Sequence, residues 1–201
     1  MVTHVLLWRP TVSDTSKGIS VGCTNAEVYV RVAGRGTFQN SQPLRRFALA
    51  MVERGYKVFV VDLGQCLGMD STFLGVLAGV GLRLRQVNSG GSVHVTNVSP
   101  RNMELLQTLG LDRLFNLEEK ATGAMMAPPA EQAFEQLPES DAAEVKGPLN
   151  KNETTDLMLE AHTHLTEADE RNIPKFKDLT KFLRENIARR RGETPPKDPT
   201  P

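Results

Sequence analysis

The chain is poor in the residues that mark redox, metal or polyanion-binding chemistry. It has two cysteines, Cys23 and Cys66, at no spacing typical of metal ligands, and such a lone pair indicates two buried thiols rather than a disulfide. Lysine plus arginine equals aspartate plus glutamate at 24 each, so the net charge is zero, and neither nucleic acid nor an anionic membrane is indicated as a partner. No metal or other cofactor is expected, since the four histidines are scattered along the chain, at His4, His94, His162 and His164.

Long apolar runs are also missing. Residues 1–9 lack the basic region and the extended apolar stretch of a secretory signal. No segment resembles the roughly 20 apolar residues that cross a bilayer. We therefore expect a cytoplasmic protein without a membrane-spanning segment. The length of 201 residues allows one ordinary domain plus an extension.

Strand and helix patterns alternate over the first 118 residues. Apolar runs predict strands at 2–8, 27–32, 57–63, 92–98 and 114–117, whereas residues 11–22, rich in Ser, Thr, Gly and Asp, are predicted as a turn or loop. Helices are predicted between the later strands, with Asn40 or Ser41 as the first cap and Ser99-Pro100 opening the third. This order predicts an α/β fold with a mixed, mostly parallel sheet and an antiparallel pair at one edge.

The remainder of the chain has a different character. Residues 119–152, rich in Ala, Pro, Gly and Glu, are predicted as a flexible linker, and residues 190–201 as a disordered tail. Residues 153–189 are predicted to form an amphipathic helical segment, in which Pro174 marks a kink or a break between two helices. Since helices of the first domain already cover its sheet, we expect this segment to dock onto another chain and form a homo-oligomer, either a dimer or a larger complex. The alternative is that it packs onto its own domain. Its apolar stripe comprises Leu157, Ala161, Leu165, Ala168, Phe176, Leu179, Leu183 and Ile187.

Asp70-Ser71-Thr72 follows a buried strand and opens an apolar helix. A hydroxyl at a helix N-terminus faces unpaired N–H groups and a positive dipole end, so it tolerates a phosphate. The simpler interpretation is that Ser71 or Thr72 is an N-cap without further function. Asp70 could also cap the helix or orient the hydroxyl, and because nothing supplies the rest of an active site, we do not expect an enzyme.

Several motifs around this turn occur in a characteristic order. They are the strand Val58–Leu63, the turn Met69–Thr72, Leu74-Gly75, the run Val98-Ser99-Pro100 followed by Leu105–Phe115, and the loop Gly34–Phe38. Over residues 26–118, this arrangement resembles the STAS domain of anti-sigma factor antagonists. The resemblance implies a STAS domain over residues 1–118, joined by the linker to the C-terminal helical extension.

The resemblance also implies a function and a site. Ser71 is expected to be the phosphoacceptor of a partner anti-sigma factor serine kinase, with Thr72 as the alternative. Unphosphorylated members bind the kinase and release the sigma factor, phosphorylation breaks that complex, and a phosphatase restores it. The expected partner-binding residues are Gly34, Arg35, Thr37, Asp70, Ser71, Thr72 and Phe73.

Phe73 departs from the family pattern, which commonly has glycine at this place. We expect its ring to be at least partly exposed and to belong to a protein interface. The alternative function is a STAS subunit of a structural or scaffold assembly, either stressosome-like or a transporter accessory, without a phosphorylation switch.

Overall fold

The computed structural model describes residues 17–87, 90–120, 130, 133–137 and 151–193. Within them, one sheet contains six strands: β1 Gly18–Cys23, β2 Glu27–Gly36, β3 Val58–Met69, β4 Ser92–Thr96, β5 Asn116–Leu117 and β6 Glu135–Gln136. The helices are α1 Phe38–Glu53, α2 Ser71–Val87, α3 Pro100–Thr108, α4 Lys151–Ala168 and α5 Ile173–Arg191, with short 3-10 turns at Leu111–Arg113 and Glu170–Asn172. No helix in these described ranges is both long and apolar enough to span a membrane.

The sheet has the order β5-β4-β3-β2-β1-β6. Strands β2 to β5 are parallel, whereas β1 is antiparallel to both β2 and β6. The predicted α/β fold with a mostly parallel sheet and an antiparallel edge is therefore confirmed. The prediction of a loop over 11–22 is wrong for residues 18–22, which lie in β1 and bury Ile19 and Val21 in the core. The predicted strand at 2–8 lies outside the described residues.

Both elements between β2 and α2, namely α1 and β3, are longer than predicted. Strand β3 continues beyond residue 63 to Met69 because its second half pairs with the end of β2 across two register shifts. Helix α1 begins at Phe38, earlier than expected, with Thr37 as its N-cap. Asn40, predicted as a cap, instead accepts a hydrogen bond at Oδ1 from the Thr37 N–H, at 2.8 Å. Asp70 alone therefore separates β3 from α2.

The C-terminal third contains one strand that was not predicted and one helix break that was. Residues Glu135–Gln136 lie within the predicted linker and yet form β6 against β1. The break at Pro174 is confirmed, since α4 and α5 are consecutive helices and Pro174 lies in the first turn of α5. Helix α5 ends at Arg191, so the prediction of a disordered tail is wrong for residues 190 and 191, which are helical. Gly192 caps the helix with a φ of +69°, a conformation that glycine adopts without strain.

Helix α4 packs against α2 of the same chain. Every residue of α2 from Thr72 to Ala78 is buried, and Leu157, Ala161 and Leu165 of α4 belong to the same core. The expectation that the stripe docks onto another chain is therefore wrong for α4. The reason is that α2 is apolar on all sides, so it contacts the rest of its domain on one side and receives α4 on the other.

Candidate functional site

The carboxylate of Asp70 joins the starts of two helices. Its Oδ2 accepts a hydrogen bond from the N–H of Phe38, the first residue of α1, and its Oδ1 accepts one from the N–H of Phe73, each at 2.8 Å. The Asp70 N–H donates to the carbonyl of Gly36 at 2.9 Å. The N-termini of α1 and α2 thus converge on one point, where both helix dipoles favour negative charge.

The Ser71 hydroxyl takes no part in capping. Because Asp70 is the N-cap, Ser71 is the first residue of α2, and the interpretation of Ser71 or Thr72 as the cap is wrong. The Ser71 Oγ instead lies 2.9 Å from Nε2 of His162 on α4. Thr72 is 4% exposed, whereas Ser71 is half-buried, so Ser71 is the more accessible hydroxyl of the pair.

His162 is held from three sides. It is 2% exposed, its Nδ1 lies 2.7 Å from the Met158 carbonyl, and its ring makes an edge contact with Phe176 of α5 at 4.9 Å between centroids. A carbonyl can only accept, so the hydrogen-bond network assigns the proton to Nδ1. In the neutral imidazole, Nε2 is then an acceptor, and the Ser71 hydroxyl donates to it.

This arrangement has the order of a nucleophile, a base and an orienting acceptor. It lacks the access that catalysis requires, because the imidazole lies sealed between Ser71 and Phe176. No substrate atom can lie beside both Oγ and Nε2 while α4 is docked. Among the described residues, no group of three or more His, Cys, Asp or Glu side chains is placed to hold a metal ion.

The structure brings most of the predicted partner-binding residues together but buries two of them. Arg35 and Thr37 lie beside Asp70, since Gly36 and Phe38 both hydrogen-bond to it, whereas Gly34 pairs with Cys66 further along the sheet. Thr72 and Phe73 are buried and cannot touch a partner.

The expectation of an exposed Phe73 is therefore wrong, since this residue is 0% exposed. Its ring lies against Gly36, where an added Cβ would come within 2.6 Å of the ring. The absence of a side chain at Gly36 thus creates the space that Phe73 fills.

Three exposed side chains border the site, and we call them the Arg35 surface: Arg35, Phe38 and Leu67. Leu67 is 67% exposed, next to Gly68, which pairs with Arg35 in the sheet. Sequence reasoning did not single out Phe38 on its own or Leu67, because an apolar residue in an apolar run is normally assigned to the core. His162 was also missed, because 91 residues separate it from Ser71 and no local pattern marks the pair.

The family model described as "Mlab, STAS domain" matches residues 19–119, half of the chain. The chain belongs to this STAS family. The resemblance to STAS domains is thereby confirmed. Helices α4 and α5 lie outside the matched residues, so they are an addition to the family's domain.

Two solved structures are similar to the STAS domain of this chain. One is the anti-sigma factor antagonist SpoIIAA in its unphosphorylated form, at 19% identity over 52% of this chain and 90% of that chain, with a TM-score of 0.44. The other is the Bacillus cell fate determinant SpoIIAA in the phosphorylated form, at 20% identity over 53% and 93%, with a TM-score of 0.45. Likenesses at this level bear on neither the partner nor the modification of the present chain.

Proposed function

We propose that the protein is a regulatory STAS protein, an anti-sigma factor antagonist that binds a partner anti-sigma factor serine kinase and is switched by phosphorylation at Ser71. It is a cytoplasmic protein and not an enzyme. The observation that carries this proposal is the convergence of two helix N-termini on the Asp70 carboxylate. Because Asp70 provides the caps, the neighbouring Ser71 hydroxyl has no capping role, and it lies in a place where added negative charge is tolerated.

The proposed modification is a phosphoryl transfer from ATP held by the kinase. Ser71 Oγ forms a bond to the γ-phosphorus as the bond from that phosphorus to the β–γ bridging oxygen breaks. ADP is the leaving group and stays in the kinase, and the hydroxyl proton passes to a base of the kinase. The product carries about −1.5 to −2 additional charges at one surface point. The positive ends of α1 and α2 offset part of this charge, so the fold is expected to survive.

Release of the partner follows from the same charge. The kinase approaches across the Arg35 surface, where exposed apolar and cationic side chains surround the site. After transfer, the phosphate faces the nucleotide still bound to the kinase. Like charges in a partly desolvated interface cost several kcal/mol, and each 1.4 kcal/mol reduces affinity about tenfold. A phosphatase that removes the phosphate restores binding.

The direct test is incubation of the full chain with a candidate kinase and ATP, followed by mass spectrometric mapping of the modified residue. Ser71→Ala should abolish phosphate incorporation and preserve kinase binding. Thr72→Val is the matched control, because it removes the adjacent buried hydroxyl and should leave incorporation at Ser71 intact. Phosphate that persists in Ser71→Ala would contradict the assignment.

A second candidate function is a STAS subunit of a structural or scaffold assembly without a phosphorylation switch. The hydrogen bond between Ser71 and His162 favours it, since the hydroxyl already has a partner inside the chain. Self-association through residues 153–189 would then use the outer face of α5, where Leu179 and Phe182 are exposed. Copurification of like subunits, rather than of a nucleotide-binding kinase, would support this function over the first.

A further inference from the structure

Helix α4 lies along the face of α2 that begins at Ser71. Ser71, Gly75 and Gly79 recur every four residues and therefore share one side of α2. The first contacts His162, and an added Cβ on the second would lie 2.2 Å from the carbonyl oxygen of Ala161. Two small residues thus let the backbones of α2 and α4 approach closely, and this approach brings the His162 imidazole to the serine hydroxyl.

Further contacts anchor the two C-terminal helices at the middle of α4 and just beyond its C-terminal end. Arg45 of α1 donates to Glu160, midway along α4, from Nε and Nη2, at 3.0 and 2.7 Å. Beyond the end of α4, Asn172 Nδ2 donates to the carbonyl of Leu109 at 2.8 Å, next to the end of α3. Lys175 Nζ donates to the Thr108 carbonyl at 2.6 Å. The position of His162 over Ser71 is therefore fixed by contacts with three different helices of the STAS domain.

We propose that α4 and α5 form an autoinhibitory cover over Ser71, which must move aside before a kinase can phosphorylate it; this inference rests on the proposed function. Transfer requires the γ-phosphorus of ATP at about 3–3.5 Å from Oγ in line with the leaving group. In the closed state, the hydroxyl instead donates to His162 at 2.9 Å, and α4 stands where a kinase cleft would enclose the start of α2. The phosphorylation rate then scales with the fraction of molecules in which the cover is open.

The cover can be tested without knowing the kinase, by thiol accessibility in the full chain. Cys23 is exposed and is replaced by Ser, whereas Cys66 is buried, and burial raises the pKa of its thiol, so Cys66 reacts slowly. Ser71→Cys in this background is treated with iodoacetamide under native conditions, and the rate of the introduced thiol is compared between chains in which α4 is unmodified and chains in which it carries a substitution. Each rate is normalised to the rate of the same thiol in denaturant.

Two Asp substitutions provide an opened variant and a matched control. Leu165→Asp places a charge in the buried face of α4, whereas Phe182→Asp makes the same kind of change on α5 at a side chain that is 57% exposed. Leu165→Asp should make the introduced thiol react about tenfold faster, and Phe182→Asp should leave its rate unchanged. Hydrogen exchange of β2 and β3 shows whether the sheet remains folded. If Leu165→Asp unfolds it, Glu160→Arg, which replaces the contact with Arg45 of α1 by a repulsion, takes its place.

The possible results separate the cover from the proposed function. A rate of the introduced thiol that does not rise in Leu165→Asp would overturn the cover, as would equal effects of Leu165→Asp and Phe182→Asp. With a candidate kinase and ATP, the opened variant that retains Ser71 should be phosphorylated at least about fivefold faster than the wild-type chain. If the introduced thiol is uncovered in the opened variant and Ser71 still takes up no phosphate, the cover stands and the proposed phosphorylation fails.

Discussion

Gly75→Ala measures directly how closely α4 approaches α2. A Cβ added at Gly75 would lie 2.2 Å from the Ala161 carbonyl oxygen and 2.5 Å from its carbon. These are backbone atoms and cannot rotate away. Helix α4 must therefore retreat by about 1 Å, from 2.2 Å toward the 3.4 Å at which ordinary contact begins.

Gly79→Ala is the matched control for this change. It lies one turn further along the same face of α2, and its added Cβ would come within 2.3 Å of Nδ1 of His164. His164 is half-buried, and its side chain can turn aside. Both substitutions gain roughly 0.5–1 kcal/mol because alanine is preferred to glycine inside a helix. That gain cancels in the comparison, which leaves the overpacking cost of about 1–3 kcal/mol at Gly75 alone.

The assay is thermal and urea unfolding of both variants, monitored by circular dichroism. Gly75→Ala should be less stable than Gly79→Ala by about 1–3 kcal/mol, and each kcal/mol corresponds to roughly 2–4 °C in Tm for a chain of this size. Hydrogen exchange should be faster in α4 of Gly75→Ala. Equal stability of the two variants, or a more stable Gly75→Ala, would refute the close packing of α4 on α2.

Three further predictions concern buried and capping residues. Phe73→Ala should lower the free energy of unfolding by about 3–5 kcal/mol, because it leaves a cavity in the core; a loss under about 1 kcal/mol would mean that the ring is not buried. Asp70→Ala should cost about 1–3 kcal/mol by removing the acceptor of the Phe38 and Phe73 N–H groups, and Asp70→Asn should cost less. Hydrogen bonds from Arg171 hold the pKa of Asp169 well below its usual range, so its contribution to stability is present above about pH 4 and is lost as the pH falls further. The stability difference between wild type and Asp169→Asn should therefore shrink from about pH 6 to about pH 2.5, and a constant difference would contradict the ion pair.

Much of the sheet domain could be predicted from local patterns. The largely apolar run over residues 58–63 in β3, the amphipathic period of α1 and the Ser99-Pro100 start of α3 each reflect a single element and its burial. Strand β1 escaped prediction because it is only six residues long and contains two glycines and a serine, which are also the residues of turns. Its burial comes from pairing with β2, which a local pattern does not show.

The sequence of α2 itself favours the docking of α4 in the same chain. Between Phe73 and Leu82, helix α2 is apolar around its whole circumference, and such a segment must be covered on every side. This property favours packing of the C-terminal stripe in cis. The burial of Phe73 was not predictable in the same way, since it depends on the absence of a side chain at Gly36 in a different strand.

Some residues of the candidate site could be predicted from the sequence, whereas others could not. Asp70 and Ser71 occur at a recognisable strand-to-helix turn, so their place was evident. The contact with His162 depends on how two segments that lie 91 residues apart in the sequence dock onto each other. A single histidine in a sequence does not predict such a contact. The capping role of Asp70 toward α1 likewise depends on the alignment of β2 with β3.

Strand β6 sets how strongly α4 competes with any external binder of α2. The Leu137 N–H donates to the Ile19 carbonyl at 2.8 Å, so the chain is fixed to the sheet edge just before residues 138–150, which lead to α4. Only 13 residues of sequence separate this fixed point from α4, and attachment in the same chain over such a distance corresponds to an effective concentration on the order of millimolar. A protein present at micromolar concentration that binds the same face of α2 must therefore have about a thousandfold higher intrinsic affinity than α4 to occupy it equally. Loss of the pairing between β1 and β6 would increase the distance along the chain from the nearest fixed point to α4 and lower that threshold, although no residue in contact with α2 would have changed.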